Sequence, residues 1–230
     1  MKRSEINSIL RDAEEFIGRF SFKLPPFALW TPEDWREKGS ECDEIRDNML
    51  GWDVTDFGLG DFHKTGLVLI TLRNGSQKSE RYRKPYAEKL LVSRENQLCP
   101  MHFHWHKMED IINRGGGVLM MRLYGSTSRE ALDLENELEV VADGVRLRVP
   151  PGTTLRLLPG QSVTLTPGLY HSFWAQEGLG PVLIGEVSQC NDDNSDNRFL
   201  ESVARFPEIE EDEPPYRLLC TEYPAAGRKA

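Results

Sequence analysis

The sequence predicts a mainly β protein, an antiparallel sandwich or barrel, with a helical extension at its N-terminus. Three observations predict it. From about residue 66 onward, short runs rich in β-branched and aromatic residues follow one another. Glycine and proline turns separate these runs, and few helical stretches intervene. Before residue 66, by contrast, apolar residues recur at helical spacing.

The helical extension comes first. Ile6, Leu10, Ala13, Ile17 and Phe20 are spaced so that they share one helical face. Ser4 is the expected N-cap, and Pro25-Pro26 stops the helical stretch. Thr31-Pro32-Glu33-Asp34 reads as a second start, with a capping hydroxyl, a proline in the first turn and acids at the positive end of the helix. Gly39 is expected to close that helix, and a third short helix is expected near residues 45–50.

Strands are expected at residues 67–72, 89–92, 99–104, 118–124, 138–141, 145–149, 153–157, 162–166, 171–174 and 182–187. Asn74-Gly75 closes the first, and Asp143-Gly144 is a tight hairpin turn between two others. Residues 207–215 (PEIEEDEPP) read as an acidic surface segment, and residues 216–223 as a last strand or a segment packed on the barrel. The expected organisation is residues 1–65 as a helical extension packed on a barrel of residues 66–230, which carries a C-terminal extension, the whole forming one structural domain.

Composition narrows the function. Against 28 Lys and Arg stand 37 Asp and Glu, a formal charge of −9. An acidic surface repels phosphate backbones and anionic lipid, so neither nucleic acid nor membrane is an expected partner. No apolar run approaches the length of a membrane helix, and the first residues lack the apolar stretch of a secretory signal, so a cytoplasmic location is expected. Cys42, Cys99, Cys190 and Cys220 form no C-x-x-C pair and read as reduced apolar filler.

The chemistry-bearing residues are concentrated. His102, His104 and His106 alternate along one expected strand and can share a face. Clustered imidazoles are costly inside a barrel unless a metal turns them into ligands; on a surface face, water satisfies them. Glu109 follows closely, then Gly115-Gly116-Gly117, and much later Pro167-Gly168-Leu169-Tyr170-His171.

That order resembles the two cupin motifs, H-x-H-x4-E-x6-G and a variant P-G-x-x-H that lacks one residue between proline and glycine. The motif spacing selects His102, His104, Glu109 and His171 as metal ligands and leaves His106 as a second-layer or cavity residue. Three imidazoles with one carboxylate suit Mn(II), Fe(II), Co(II) or Ni(II), and the absence of thiolate argues against structural zinc.

Glu186 interrupts an apolar strand, and such a carboxylate either faces solvent or is turned inward with a task. The polar run at 188–198 is either a solvated loop or a rim around a ligand, and Lys89 and Lys107 add cations near the expected mouth.

Three further segments sharpen the resemblance: Tyr86-Ala87-Glu88-Lys89, residues 107–117, and Gly185-Glu186-Val187-Ser188 with Asn191-Asp192-Asp193 and Asp196-Asn197-Arg198-Phe199. With them nearly the whole chain resembles the D-lyxose isomerase family of the cupin superfamily. That resemblance implies a jelly-roll barrel and a manganese-dependent aldose–ketose isomerase acting on D-lyxose and D-xylulose, with D-mannose and D-fructose as related substrates. It carries the metal ligands onto His102, His104, Glu109 and His171. It carries acid–base work onto Glu186, with Glu109 as rival and Lys107 assisting, and sugar contacts onto Lys89, Asp193 and Arg198. A cupin barrel also hosts Fe(II) dioxygenases and non-catalytic sugar-binding modules, so both stay open on fold alone. A homodimer is the expected assembly.

Overall fold

A computed structural model of the chain describes residues 1–76 and 79–226. Two antiparallel sheets face each other. The strands are β1 (Gly51–Thr55), β2 (Leu67–Arg73), β3 (Tyr86–Ser93), β4 (Cys99–Phe103), β5 (Glu109–Gly116), β6 (Leu119–Ser126), β7 (Leu132–Asp133), β8 (Leu138–Ala142), β9 (Val145–Val149), β10 (Thr154–Leu157), β11 (Ser162–Leu165), β12 (Tyr170–Ala175), β13 (Val182–Gln189) and β14 (Arg198–Phe199). The large sheet runs β1-β2-β3-β13-β5-β11-β8-β9, and the smaller runs β10-β6-β12-β4-β14 with β7 paired to β6. The helices are α1 (Arg3–Arg19), α2 (Pro32–Arg36) and α3 (Asp43–Asp47).

Two apolar layers explain the strand sequences. Between the sheets lie Leu67, Leu69, Leu91, Ile111, Val163, Val182 and Ile184 from one side, meeting Leu119, Met121, Leu123, Leu157, Phe173 and Ala175 from the other. On the back of the large sheet a second layer joins Trp52, Val54, Val68, Ile70, Leu90, Val92 and Leu183 to Ile6, Ile9, Leu10, Ala13 and Ile17 of α1. Strands β2 and β3 are therefore covered on both faces and read as unbroken apolar runs, whereas β6 alternates buried and half-open positions because its outer face meets solvent. Each fully buried aliphatic side chain contributes roughly 1.5–3 kcal/mol. Among the described residues, no helix is long and apolar enough to cross a membrane.

Local signals behave as their chemistry requires. Thr31 and Asp34 form the reciprocal capping box at the start of α2. Asp143 and Gly144, both at positive φ, turn β8 directly into β9, with Ala142 opposite Val145.

The structure also departs from expectation. The helix starts at Arg3, and Ser4 does not cap it: its backbone N–H and hydroxyl both donate to Asp212. α2 ends at Arg36, before Gly39, and α3 lies slightly upstream of residues 45–50. Strand β1 falls inside the stretch expected to be helical and pairs with β2 throughout its length. Strand β5 has eight residues where only a bend into a glycine turn was expected; its inward positions Glu109 and Asn113 are polar and hide the strand period.

Asn74-Gly75 does not make a tight hairpin. Asn74 is buried, its Nδ2 donating to the carbonyls of Asn48 and Asn191 while its Oδ1 accepts from Asn191 N–H.

The acidic segment at 207–215 is not free surface either. Arg3, 1% exposed, donates to Glu211 and Glu222, Asn7 donates to Glu213, and the Met1 ammonium donates to the Glu208 carbonyl. Leu219 bridges to Trp52, so the C-terminal stretch covers the edge of β1. The acids gather where α1 is electropositive.

Candidate active site

The site lies between the sheets at one end of the barrel. Strands β4 and β12 pair so that His102 stands opposite His171, and the ring centroids are 4.1 Å apart. β4 ends at Phe103, so the shared strand face holds His102 but cannot extend to His106. His104 sits just past the strand end and is fixed twice. Its Nδ1 donates to the Asp196 carbonyl at 2.8 Å, and its own carbonyl accepts from Gly168 N–H at 2.9 Å. Gly168, at φ 78°, is the glycine of the Pro-Gly turn that leads into β12. His106 is exposed, its backbone N–H donating to Asp196, and it lines an outer cavity of about 250 Å³ with Asp47, Asn48, Asn74 and Asp193.

Each of the three buried imidazoles has Nδ1 against a backbone carbonyl: His102 on Pro100 at 2.7 Å, His104 on Asp196, His171 on Leu169 at 3.0 Å. A carbonyl only accepts, so Nδ1 carries the proton and Nε2 keeps its lone pair. One ligand atom from each ring lies within 4.8 Å of the others. Glu109, the first residue of β5, brings Oε1 to 3.3 Å from Nε2 of both His104 and His171.

Burial, with the neighbouring imidazoles, holds His102 well below the usual histidine range. Burial likewise lowers His171 to about 4. Burial alone would raise Glu109, but the Lys107 ammonium holds it well below the usual carboxylate range. The neutral rings of His102 and His171 beside an ionised Glu109 are the protonation states a divalent cation requires. Three nitrogens and one oxygen, with no thiolate, fit a first-row divalent metal of the Mn–Ni series.

The large sheet supplies the second half. Glu186 on β13 shares its inward face with Ile184 and is paired in register with Lys89 on β3. Lys107 is buried and spans the carboxylates, with Nζ 2.6 Å from Glu109 Oε2, 2.9 Å from Glu186 Oε1 and 3.3 Å from Asn191 Oδ1. Ser188 donates to the same Glu186 oxygen at 3.1 Å, and Lys89 lies 3.6 Å from it while donating to Asn191 at 2.7 Å. Asn191 in turn donates to Asp193 Oδ2 at 2.7 Å. Lys89 and Lys107 are thus interior groups, not cations at a mouth.

Asp193 is common to the inner and outer cavities. Although burial would raise it, Arg205 and the two lysines hold it well below the usual range.

One expected residue sits elsewhere. Arg198 on β14 donates through Nε to Glu130 Oε2 at 2.8 Å, beside Trp105 Nε1 on the other oxygen at 3.0 Å, and does not line the inner cavity. The guanidinium that does is Arg205, which binds Asp53 and Asp193. Neither Arg205 nor Asp53 is signalled by spacing, because Arg205 follows the last strand in an irregular stretch and Asp53 lies on a strand the period did not reveal. Apolar side chains, Phe57, Leu67, Leu69, Cys99 and Phe199 among them, make up the rest of the lining.

The fold has solved counterparts. L-ribose isomerase of Cellulomonas parahominis, solved with L-psicose, superposes with a TM-score of 0.59 at 16% identity over 91% of this chain and 98% of that one. The Acinetobacter sp. DL28 L-ribose isomerase with L-ribose gives 0.58 at 13% identity, over the same shares. At that identity the likeness establishes the architecture, the cupin-type antiparallel barrel.

Sequence relatives are nearer. Proteins named D-lyxose/D-mannose isomerase from Serratia proteamaculans and Escherichia coli O157:H7 are 52% and 50% identical over 224 residues, 97% of this chain and 98% of theirs. A third, from Thermosediminibacter oceani, is 30% identical over 92% of this chain and 99% of its own. The family model described as D-lyxose isomerase matches residues 1–223. With 223 of its 230 residues matched in this way, the chain belongs to the D-lyxose isomerase family.

Proposed function

We propose that the protein is a metal-dependent aldose–ketose isomerase that interconverts D-lyxose with D-xylulose, and D-mannose with D-fructose, by proton transfer between C1 and C2 through an enediol. Its relatives carry the name D-lyxose/D-mannose isomerase. The observation that carries the chemistry is the buried carboxylate Glu186, joined through Lys107 to the imidazole trio and Glu109.

The ligands proposed are His102, His104, Glu109 and His171, and the metal is Mn²⁺, with other first-row divalents as substitutes. A divalent ion there supplies Lewis acidity, which lowers the free energy of negative charge on the sugar's neighbouring oxygens by several kcal/mol.

The remaining work falls to the chain's own groups. A C–H beside a carbonyl is a weak acid, so a base must take its proton from one carbon and return it to the other. In our reading Glu186 is that base. Lys107, Lys89 and Ser188 all contact its Oε1, which leaves Oε2 for the carbon-bound proton. Glu109, the alternative, has Oε2 on Lys107 and Oε1 facing two imidazoles, so both of its oxygens are engaged. Lys107 fixes the distance between the two carboxylates, and Lys89 and Asp193 hold sugar hydroxyls. The apolar side chains of the lining, Phe57, Leu69 and Phe199 among them, exclude the water that would compete for the proton.

We place the enzyme in the cytoplasm, in keeping with four cysteines that form no disulfide, and expect a twofold dimer by size-exclusion chromatography.

The test starts from metal-stripped protein. Restoring Mn(II) under anaerobic conditions is expected to restore ketose formation from D-lyxose and D-mannose. Full metal loading without ketose from any pentose or hexose would overturn the reading. Glu186→Gln is expected to keep its metal and to lose deuterium exchange at C2 by roughly 10²–10⁴-fold. Unchanged exchange would pass the proton transfer to Glu109.

A further inference from the structure

Two of the site's polar side chains stand on irregular backbone. β4 ends at Phe103 and β5 begins at Glu109, so His104 and Lys107 project from a connection that no strand ladder holds. A side chain on such a connection keeps its place only if other groups fix the backbone beneath it. The two ends of the connection are tied: the His104 carbonyl accepts from Gly168 N–H, and Met108 N–H donates to Gln189 Oε1. Between those ties, two successive backbone N–H groups donate to one carboxylate. His106 N–H reaches Asp196 Oδ1 at 2.9 Å, and Lys107 N–H reaches Asp196 Oδ2 at 3.0 Å.

Asp196 also meets the connection through its backbone, since its carbonyl accepts from His104 Nδ1 at 2.8 Å. The residue is buried, and enclosing a carboxylate is costly unless its oxygens are hydrogen-bonded. Here both oxygens serve the connection. Asp196 is itself fixed. Its N–H donates to the Asp192 carbonyl at 2.9 Å, and the Asp192 carboxylate accepts from Asn194 N–H and the Ser195 hydroxyl within the same turn. Three residues further on, Phe199 stands opposite His102 in the β14–β4 pairing, with the two rings 5.3 Å apart. One short stretch, 196–199, therefore touches two of the three buried imidazoles.

We propose that Asp196 is a positioning residue of the metal centre. Its carboxylate sets the backbone from which His104 and Lys107 project, and in doing so keeps its own carbonyl against the His104 ring. The carbonyl then holds the proton on Nδ1 and turns Nε2 toward the other ligands. The assignment rests on the metal-dependent reading of this site and adds to it how a ligand outside any strand is aimed.

The experiment measures metal affinity in metal-stripped, full-length protein. Mn(II) is titrated in, and the free ion is read from its electron paramagnetic resonance signal. Asp196→Ala removes both acceptors and is expected to weaken Mn(II) binding by roughly 10- to 100-fold. Asp196→Asn keeps one acceptor for the buried Lys107 N–H, while the exposed His106 N–H can turn to water. It is expected to lose only about three- to tenfold, the equivalent of one hydrogen bond. The visible absorption bands of the Co(II)-loaded protein are expected to shift in Asp196→Ala, because the His104 ring no longer approaches the ion in one orientation. A purely structural role would lower the thermal midpoint and leave both the affinity and the bands where they are.

Wild-type affinity and unshifted bands in folded Asp196→Ala would overturn the proposal and leave the isomerase reading standing. Wild-type affinity in Asp196→Asn would overturn it as well, whether or not the alanine variant folds. Wild-type protein that binds Mn(II) but forms no ketose would overturn the isomerase reading while the variants still decide this one. Wild-type protein that binds no divalent ion would overturn both.

Discussion

Arg3 and Arg205 are both largely enclosed among carboxylates, and they are enclosed differently. At the N-terminus, Arg3 uses Nε, Nη1 and Nη2 against Glu211 and Glu222, so every nitrogen of the fork has an acceptor. In the cavity, Arg205 spends Nη2 on Asp53 and Asp193 and keeps Nη1 unmatched. The first cluster is closed. It fastens α1 to the end of the chain and has nothing left to offer a ligand. The second is open, as are the facing Nε2 lone pairs of the imidazole trio beside it. Burial of charge is common to both, so burial alone does not mark function. Unspent hydrogen-bonding capacity does.

The comparison can be broken, and the largest effect comes from the open side. His171→Ala removes one of three converging nitrogens. It is expected to abolish stoichiometric Mn(II) binding, read by metal analysis after dialysis, and to lower kcat/KM by about 10³-fold. Its thermal midpoint without metal should stay near that of the metal-free wild type. Retained metal and turnover would remove His171 from the ligand set.

On the closed side, Arg3→Met is expected to lower unfolding free energy by about 2 kcal/mol in urea titration. That is less than a fully interior pair would lose, because Glu211 is 58% exposed and can rehydrate. Turnover per folded, metal-loaded molecule should not change; a parallel fall in kcat would show that the clasp is not confined to structure.

The smallest effect is the pH response of the same clasp. Hydrogen bonds from Arg3 lower Glu211 below the usual range, and bonds from Ser4 lower Asp212. A carboxylate depressed on folding stabilises above its unfolded pKa, and that stability fades as pH falls through the folded value. Differential scanning calorimetry is therefore expected to show the thermal midpoint dropping below about pH 4, more gently in Arg3→Met than in wild type. Equal slopes would exclude Glu211 from the acid response.

Much of the open side was legible in the sequence. His102 and His104 sit two apart in a β-rich run, and the Pro167-Gly168 turn fixes where His171 enters its strand. Those signals are local, so one sequence carries them. Asp143-Gly144 and the apolar face of α1 are legible for the same reason.

The residues that escaped do so on long-range grounds. Arg205 lies beyond the last strand, and its partners Asp53 and Asp193 come from other parts of the chain. Strand β5 was masked because its buried positions include Glu109, Asn113 and Gly115, which no hydrophobic count recognises. Arg198 and Arg205 look alike in sequence, and only the fold separates the one that meets Glu130 from the one that lines the cavity. The acids of 207–215 read as solvated surface because the groups they bind are at the opposite end of the sequence.

That separation sets an order of events in the cell. Arg3 and Asn7 leave the ribosome ahead of their partners, which lie between 206 and 219 positions downstream. At a synthesis rate of about 5–20 residues per second, the opening helix waits roughly 10–40 s for the segment that neutralises it. Every nascent chain must keep that helix soluble in the meantime, and a chain broken off before Glu211 would hold in α1 a cation with no carboxylate to meet it.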